Sequence, residues 1–340
     1  MLQSIHLQGF KGFKDTEVGP LKKVNLILGG QNVGKTSLLE AVYFGASEFG
    51  NVQRLPAVFR LAEGQDTQRF LSMTFKGVKA SIALEFGLEK LLIDEDDGLE
   101  CASLITEINL PQTISTDRGY VDDLVLDGAK LYRVLESTSL DRLSGRVGSG
   151  VRALTQPPPL TISVNLPTQV EAVQLFDRVV LKRKKRTLLE ALRRIEPRLE
   201  DMHSLSPDGE QRVYLELDGL ATAVPLPQLG HGFSRLLTLY CSLLVTDAKL
   251  ALMDEVENGI HYASLPILFK GVHDMATTQG VQTLRTTRSW DAIRAACEVF
   301  ADTPELFQVI RLERTDDNIK AVCIDGERML RLMARDMEVR

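Results

Sequence analysis

The stretch Leu26–Val42, LILGGQNVGKTSLLEAV, decides the fold of this chain. It begins inside an apolar run in which Val24, Leu26 and Leu28 alternate, a pattern that predicts a buried β-strand. Two glycines end this run, and apolar residues at helical spacing begin at Leu38. The segment therefore predicts a strand, a glycine-containing loop and a helix, in that order.

The loop matches the P-loop pattern G-x-x-x-x-G-K-[ST] through Gly29, Gly34, Lys35 and Thr36. Glycines let the backbone curl so that its N–H groups point at phosphate oxygens. The Lys35 ammonium would reach the β- and γ-phosphates, and the Thr36 hydroxyl would bind Mg²⁺. We expect ATP to be held by Gly29, Gly30, Gln31, Asn32, Val33, Gly34, Lys35, Thr36 and Ser37.

The bulk properties predict an ordinary globular protein. The chain has 340 residues, 44% of them hydrophobic and 25% charged. That is enough for one large domain or two modest ones. The net charge of −6 argues against a general nucleic-acid coat but leaves a local basic patch open.

Cysteine usage and hydropathy predict a cytoplasmic location. The four cysteines are scattered without a C-x-x-C pair, which is typical of reduced thiols rather than of disulfides or zinc ligands. The first residues lack the apolar core of a signal peptide. No run reaches the roughly 18 to 20 apolar residues that a membrane span needs, so we expect no membrane association.

A second stretch, KLALMDE at 249–255, supplies the acids that a P-loop needs for hydrolysis. Its apolar residues predict a strand, and Asp254 at its end would bind Mg²⁺ directly or through water. Glu255 would orient the attacking water and act as the general base. An acidic pair after a strand is also common on solvated surfaces, but the P-loop upstream favours the catalytic interpretation.

A Gly-x-Gly turn, Gly230-His231-Gly232, precedes a predicted helix over 232–245. A helix N-terminus with bare glycine amides favours anions. The turn lies too close in sequence to the acidic strand to serve the same γ-phosphate as the P-loop. Its phosphate would therefore have to come from elsewhere.

Together these segments resemble the ABC-type ATPases related to SMC, RecF and the OLD family, and most closely the stand-alone ATP-binding proteins of OLD type. The resemblance covers nearly the whole chain and is carried by IHLQGFKGF at 5–13, VNLILGGQNVGKTSLLEAV at 24–42, LGHGFSRLL at 229–237, LALMDEVENGIH at 250–261 and LRTTRSW at 284–290. It implies that LGHGF is the ABC signature and that ENGIH is the D-loop.

The resemblance also implies a homodimer or higher homo-oligomer that hydrolyses ATP between two heads. In it, Gly230, His231 and Gly232 cap the phosphate bound by the second subunit. Such proteins often work with a separate effector, among them TOPRIM-type nucleases in bacterial defence against phage, and DNA is a further candidate partner.

The implied fold class is an α/β P-loop NTPase of ABC-ATPase head type, with a mixed sheet, an antiparallel β lobe and a helical or insert region. We expect one head over 1–340. Its parts are a P-loop and antiparallel lobe (1–90), an insertion with mobile loops (91–155), a helical and hairpin segment (156–228), and a lobe with the signature and the acidic strand (229–340).

The sequence departs from the family at two points. Where the family has Thr-His-Ser after the last core strand, this chain has Thr287-Arg288-Ser289. Arg288 could clamp the γ-phosphate, and it counts with Lys35 and Glu255 among the expected catalytic residues. The alternative is that Arg288 faces solvent or pairs with Asp291. The Q-loop glutamine also has no clear match, and it is open between Gln53, Gln65 and Gln68.

Two basic features have competing interpretations. The run LKRKKR at 181–186 is either a solvated helix face or a contact for a phosphate backbone or partner. Lys11 is either near the nucleotide, as in related ATPases, or a solvated hairpin lysine.

Three other functions could be combined with a P-loop of this kind. A nucleotide-sensing scaffold that hydrolyses ATP poorly stays open because of Arg288. A built-in TOPRIM nuclease is not expected, because residues 286–340 hold no cluster of metal-binding acids. A GTPase is not expected, because the guanine-reading pattern N-K-x-D does not occur.

Overall fold

The computed structural model describes residues 1–46, 79–87, 101–109, 121–126, 129–137, 160–162, 168–246, 248–278 and 280–335. Within this part of the chain, strands form two six-stranded sheets and one three-stranded sheet, and helices pack around them. Three residues considered for the Q-loop glutamine lie outside the described residues: Gln53, Gln65 and Gln68.

The sheet that carries the P-loop is mostly parallel, with the order β15-β14-β3-β13-β12-β8. Only the β14–β15 pair in it is antiparallel. All five residues of β3 are buried, as is usual for a central parallel strand covered on both faces. The strands are β3 (Val24–Leu28), β8 (Leu160–Ile162), β12 (Leu250–Met253), β13 (Gln282–Thr286), β14 (Phe307–Arg314) and β15 (Ile319–Asp325).

The second six-stranded sheet is antiparallel throughout, with the order β2-β1-β4-β5-β7-β6. Its strands are β1 (Leu2–Phe10), β2 (Phe13–Val18), β4 (Lys79–Gly87), β5 (Cys101–Asn109), β6 (Val121–Leu126) and β7 (Ala129–Ser137). The predicted insertion at 91–155 therefore contributes three strands that extend this sheet. The expectation that it is mainly mobile loops is wrong for these segments, because β5 continues the pairing of β4.

The helices are α1 (Lys35–Ala46), α2 (Gln169–Leu181), α3 (Lys185–Leu192), α4 (Gly230–Val245), α5 (Leu265–Thr278), α6 (Trp290–Val299) and α7 (Gly326–Met333). Local chemistry sets several of their ends. Thr168 and Glu171 form a capping box at the start of α2, and Ser289 caps α6. The helical part of the segment predicted at 156–228 is broken after Leu181, where Arg183 adopts a positive φ of 57°.

A small antiparallel sheet, in the order β11-β10-β9, packs beside α2 and α3. It consists of β9 (Leu199–Leu205), β10 (Arg212–Leu217) and β11 (Val224–Pro225). The β10–β11 hairpin, which turns near Asp218-Gly219, lies in the segment at 156–228 that was predicted to contain a hairpin. The strand β9 was not predicted.

One buried side chain joins the antiparallel lobe to the parallel sheet. Gln282 in β13 accepts the N–H of Leu2 at 2.8 Å and donates to the carbonyls of Leu2 at 2.8 Å and Lys22 at 2.9 Å. A buried amide bonded on both ends ties two sheets together without leaving a polar group unpaired.

Two hydrophobic cores lie on opposite faces of the parallel sheet. One holds α1 against β1, β2 and β4, and the other holds α2 to α6 against the far face. β3 contributes Val24, Leu26 and Leu28 to one core and Ile27 to the other, so the strand that leads into the P-loop is packed on both faces.

Candidate functional site

The P-loop requires its glycines for steric reasons. A Cβ at Gly29 would lie 2.5 Å from a Val33 methyl and 2.8 Å from the Leu312 carbonyl oxygen. At Gly34, where φ is +90°, it would lie 2.9 Å from Ile319 and 3.0 Å from Phe13. The loop is thus curled tightly against the chain's own core.

Lys35 is buried and opens α1. Its ammonium group donates to the carbonyl oxygens of Gly29 at 2.8 Å and Gly30 at 2.7 Å. These bonds hold the positive charge inside the curve of the loop, where a phosphate chain would lie against the N–H groups.

Thr36, Asp254 and Thr286 come together across the parallel sheet. The Thr36 hydroxyl lies 3.0 Å from one carboxylate oxygen of Asp254, and the Thr286 hydroxyl lies 2.5 Å from the other. Oxygen donors of this kind are what Mg²⁺ prefers, so Thr36 and Asp254 fit the ion that an ATPase of this fold would use. The sequence predicted both ligands, and the fold brings them together from positions 218 residues apart.

The backbone of Glu255 is held in an unusual conformation, with φ at +48°. Its N–H donates to the Thr286 hydroxyl at 2.8 Å, and its carbonyl accepts from Arg235 at 3.2 Å. Arg235 belongs to α4, so the helix that follows the Gly-x-Gly turn is bonded directly to the predicted general base. Non-glycine residues seldom adopt positive φ, and such strain persists where surrounding contacts impose it.

Arg288 forms an ion pair with the Glu255 carboxylate. Its own backbone N–H donates to the Glu257 carboxylate at 2.8 Å. The side chain is 46% exposed and does not pair with Asp291, and the predicted clamp on a γ-phosphate stays a prediction. The guanidinium contacts the predicted base instead.

The Gly-x-Gly turn adjoins the D-loop segment. Gly230 has φ at +83°, and a Cβ there would meet nothing within 4 Å. A Cβ at Gly232 would lie 3.2 Å from the Gly259 carbonyl oxygen. No P-loop atom lies within 4 Å of either Cβ position, as expected if the turn serves a different phosphate.

A cavity of about 600 Å³ lies between this turn, the D-loop segment and the β9–β11 sheet. Its walls include Gly232, Phe233, Leu217, Ile260 and His261. Beside it, Tyr262 is exposed and packs against the His261 ring at 4.4 Å between centroids.

The basic run at 181–186 is largely engaged within the chain. Lys184 donates to the Leu244 carbonyl at 3.0 Å. Lys185 pairs with Asp201, and Arg186 pairs with Glu190. These contacts favour the interpretation as a structural and solvated helix surface.

Lys11 is paired as well. Its ammonium group contacts the buried carboxylate of Glu40 in α1, so it joins β1 to the P-loop helix. It is not a solvated hairpin lysine.

Arg285 is the largest fully buried side chain in β13, and it was not predicted. Its guanidinium carbon lies 5.7 Å from the centroid of the Phe269 ring. None of its three nitrogens has a hydrogen-bond partner within the described part of the chain. Burial lowers the pKa of Arg285 to about 9.

Thr286 and Arg235 were also missed by the sequence reasoning. Thr286 is the first threonine of the TTRS segment, and its hydroxyl contacts both Asp254 and the Glu255 backbone. Arg235 is buried, and burial lowers its pKa. An arginine on the apolar side of a helix right after a glycine turn was the available signal.

The described residues contain neither a membrane-spanning helix nor a cluster of metal-binding side chains. No helix among them has the length and apolar character to cross a bilayer. They also contain no cluster of three or more His, Cys, Asp or Glu side chains placed to hold a metal. Cys241, Cys297 and Cys323 are free thiols, and burial raises the pKa of the Cys297 thiol to about 12.

Comparison with known proteins supports a nucleotide site at the P-loop. A family model described as an AAA domain matches residues 4–116. A Helicobacter pylori protein named ATP/GTP phosphatase is 23% identical over 342 residues, which cover 90% of this chain and 92% of that protein.

Solved SMC heads have the same fold. An SMC head bound to the C-terminal winged-helix domain of ScpA matches with a TM-score of 0.60 and 14% identity, covering 96% of this chain and 98% of its own. A Pyrococcus furiosus head bound to the C-terminal domain of ScpA matches with a TM-score of 0.57 and 11% identity, at 99% coverage of both chains. A Thermotoga maritima head matches at 0.52 and 13%, covering 95% and 98%.

The matched fold and the assembly of the P-loop with an acidic strand end agree with one another. Together they show that the chain has the α/β P-loop fold of SMC heads, with a segment at 4–116 that is similar to an AAA domain.

Proposed function

We propose that the chain is an ATP-driven switch that binds and hydrolyses ATP between two copies of its head and thereby controls a partner. The observation that carries the proposal is the convergence of Lys35, Thr36, Asp254 and Glu255 at the carboxyl ends of β3 and β12, the two strands that flank β13. Each supplies a part of phosphoryl transfer: charge neutralisation, a metal ligand, and a base.

The chemistry assigned to these residues is hydrolysis of the γ-phosphate. Bound Mg²⁺, held by Thr36 and Asp254, would neutralise charge on the phosphates. The oxygen of a water attacks the γ-phosphorus while the bond to the β–γ bridging oxygen breaks. Glu255 accepts the proton that this water loses.

A second copy is part of the proposal because the resemblance implies that the signature turn caps the phosphate bound by the other subunit. The Gly230-His231-Gly232 turn opens α4, and no P-loop atom lies within 4 Å of a Cβ built at Gly230 or Gly232. We assign its N–H groups to the γ-phosphate held by the partner copy, where fixed donors stabilise the transition state.

Partner control is inferred from resemblance. Two of the matched SMC heads are bound to a domain of ScpA, so a head of this shape can present a binding surface to a second protein. The OLD-type resemblance adds a role in phage defence with a separately encoded nuclease, and DNA is a further candidate partner. Purification with the products of neighbouring genes, with and without ATP, tests this part.

A slow or inactive ATPase that senses nucleotide and holds an effector inactive is the second candidate. The Arg288–Glu255 ion pair favours it, because the pair occupies the carboxylate that hydrolysis requires. A single-turnover assay decides between the two. Hydrolysis that depends on Glu255 supports the switch, and tight ATP binding without hydrolysis supports the sensor.

The test of the main proposal is Glu255→Gln. An amide can hold a water but cannot take its proton, so ATP binding should persist while turnover falls by about a hundredfold or more. The variant should accumulate an ATP-bound dimer, seen by light scattering with ATP and not with ADP. Glu298→Gln is the matched control, since it makes the same exchange at an exposed position of α6. Equal turnover in Glu255→Gln and wild type would assign the base to another residue.

A further inference from the structure

The ion pair between Arg288 and Glu255 joins two side chains of very different mobility. Glu255 is 13% exposed, and its backbone is bonded to Thr286 and Arg235. Arg288 is 46% exposed, so its guanidinium has room to rotate. The base is therefore the fixed member of the pair, and the arginine is the movable one.

The backbone of Arg288 is fixed next to the P-loop strand. The N–H of the preceding Thr287 donates to the carbonyl of Ile27 at 3.0 Å, two residues before Gly29. The N–H of Arg288 itself is held by Glu257 of the D-loop segment at 2.8 Å. The side chain thus starts between the P-loop and the D-loop segment and can turn toward either.

The pair opposes hydrolysis. One oxygen of the Glu255 carboxylate contacts the guanidinium, and the positive charge beside it stabilises the ionised form, which makes the carboxylate a weaker base. A guanidinium has a planar set of donors that suits phosphate oxygens, and its bonds to charged acceptors are strong. A γ-phosphate bound at the P-loop would therefore compete with Glu255 for Arg288.

We propose that Arg288 is a positioning residue that exchanges between Glu255 and the γ-phosphate, so that ATP itself frees the base. Without a γ-phosphate the guanidinium occupies Glu255 and the base is blocked. With ATP bound, Arg288 moves to the γ-phosphate and Glu255 can receive a water. ADP leaves the ion pair intact. This inference rests on the proposed function.

A double-mutant cycle on ligand binding tests the exchange. Affinities for a non-hydrolysable ATP analogue and for ADP are measured by calorimetry in wild type, Arg288→Ala, Glu255→Gln and the double variant. Arg288→Ala should weaken the analogue by roughly tenfold to a hundredfold and leave ADP nearly unchanged. Glu255→Gln should tighten the analogue by about tenfold, because the competitor for Arg288 is gone.

The diagnostic result is the loss of that gain in the double variant. If Glu255 acts only through its negative charge near the phosphate, its removal tightens binding equally with and without Arg288, and the cycle is additive. An additive cycle overturns the exchange. Equal losses for the analogue and ADP in Arg288→Ala overturn it as well.

Two further variants guard the interpretation. Asp291→Asn removes a nearby exposed charge that does not contact the guanidinium, so it should be additive with Arg288→Ala. Arg288→Lys keeps the charge and loses the planar donor set, so it should recover part of the analogue affinity. If Lys35→Ala leaves nucleotide affinity unchanged, the proposed function itself fails, whereas an additive cycle with Lys35-dependent binding refutes only the exchange.

Discussion

Two glycine-containing turns of this chain each precede a helix, yet their glycines have opposite surroundings. In the P-loop, a Cβ at Gly29 or Gly34 would collide with the chain's own core. In the Gly-x-Gly turn, a Cβ at Gly230 would meet nothing within 4 Å, and one at Gly232 would touch only the D-loop segment. Packing within the chain explains the first pair of glycines. At the second turn, Gly230 borders space that none of the described residues fills within 4 Å, as a surface for a second copy requires, whereas Gly232 is in close contact with the D-loop segment.

Lys35→Ala should have the largest effect on this comparison. It removes the charge that the P-loop holds against phosphate, so ATP affinity should fall by more than about a hundredfold. Calorimetric titration measures it. Lys14→Ala, at an exposed lysine paired with Asp317, is the control and should bind ATP normally. Unchanged affinity in Lys35→Ala would remove the basis for treating the first turn as the nucleotide site.

Gly232→Arg tests the second turn in isolation. ATP binding should persist, because the P-loop is untouched, while turnover should fall by about a hundredfold as the donors for the other copy are obstructed. Gly232→Ala is the milder variant. Its Cβ would lie 3.2 Å from the Gly259 oxygen, a contact that a shift of a few tenths of an ångström relieves, so turnover should fall less than in Gly232→Arg.

Mixing Gly232→Arg with Lys35→Ala should restore part of the turnover. A mixed dimer keeps one intact pair of P-loop and signature turn. Activity is measured over a range of mixing ratios, with mixed dimers verified independently. Absence of rescue would mean that each head completes its own site, and the two turns would then not differ in the way proposed.

The stability of two alanine variants sharpens the contrast. Both Gly34 and Gly230 have positive φ, so each substitution costs about 1 to 2 kcal/mol of backbone strain. Gly34→Ala adds a collision with Phe13 and Ile319, which we expect to cost roughly a further 1 to 3 kcal/mol. Denaturant unfolding of both variants checks this. Equal losses of unfolding free energy in Gly34→Ala and Gly230→Ala would show that the collision at Gly34 costs nothing.

The smallest effect on stability is expected at Arg285, a buried residue of β13, the strand that pairs with β3. Replacing this buried guanidinium with methionine removes a costly charge and should raise the free energy of unfolding by about 1 to 2 kcal/mol. Thermal unfolding measures it, with Arg285→Lys as the variant that keeps a buried charge. A loss of stability in Arg285→Met would mean that an acceptor outside the described residues pairs with the guanidinium.

Elements with a single strong local pattern could be predicted from the sequence. The helix α4 starts two residues before its predicted bound at Gly232 and ends at the predicted Val245, because its apolar spacing is continuous. Among those missed were β2 and α7. β2, FKDTEV, is mostly polar, and it is a strand because β1 and β15 pair with or pack on it. α7 is eight residues long and starts at the Asp325 cap.

The same limit applies to the site. Lys35, Thr36, Asp254 and Glu255 were predictable because each lies in a short motif that carries its own chemistry. The contact of Arg288 with Glu255 was not predictable, because it depends on how two neighbouring strands end relative to one another. Thr286 and Arg235 were missed for the same reason, since their roles appear only when three separate elements meet at Glu255.

The amide of Gln282 has a consequence for how the head opens. Because one side chain bonds Leu2 and Lys22 at once, the antiparallel lobe cannot separate from the parallel sheet without exposing several buried polar groups together. The two should therefore unfold as one cooperative unit. In hydrogen–deuterium exchange, the Leu2 amide, which donates to Gln282, should exchange as slowly as amides of the central strand β3. Faster exchange at Leu2 than in β3 would show that the antiparallel lobe opens separately from the parallel sheet.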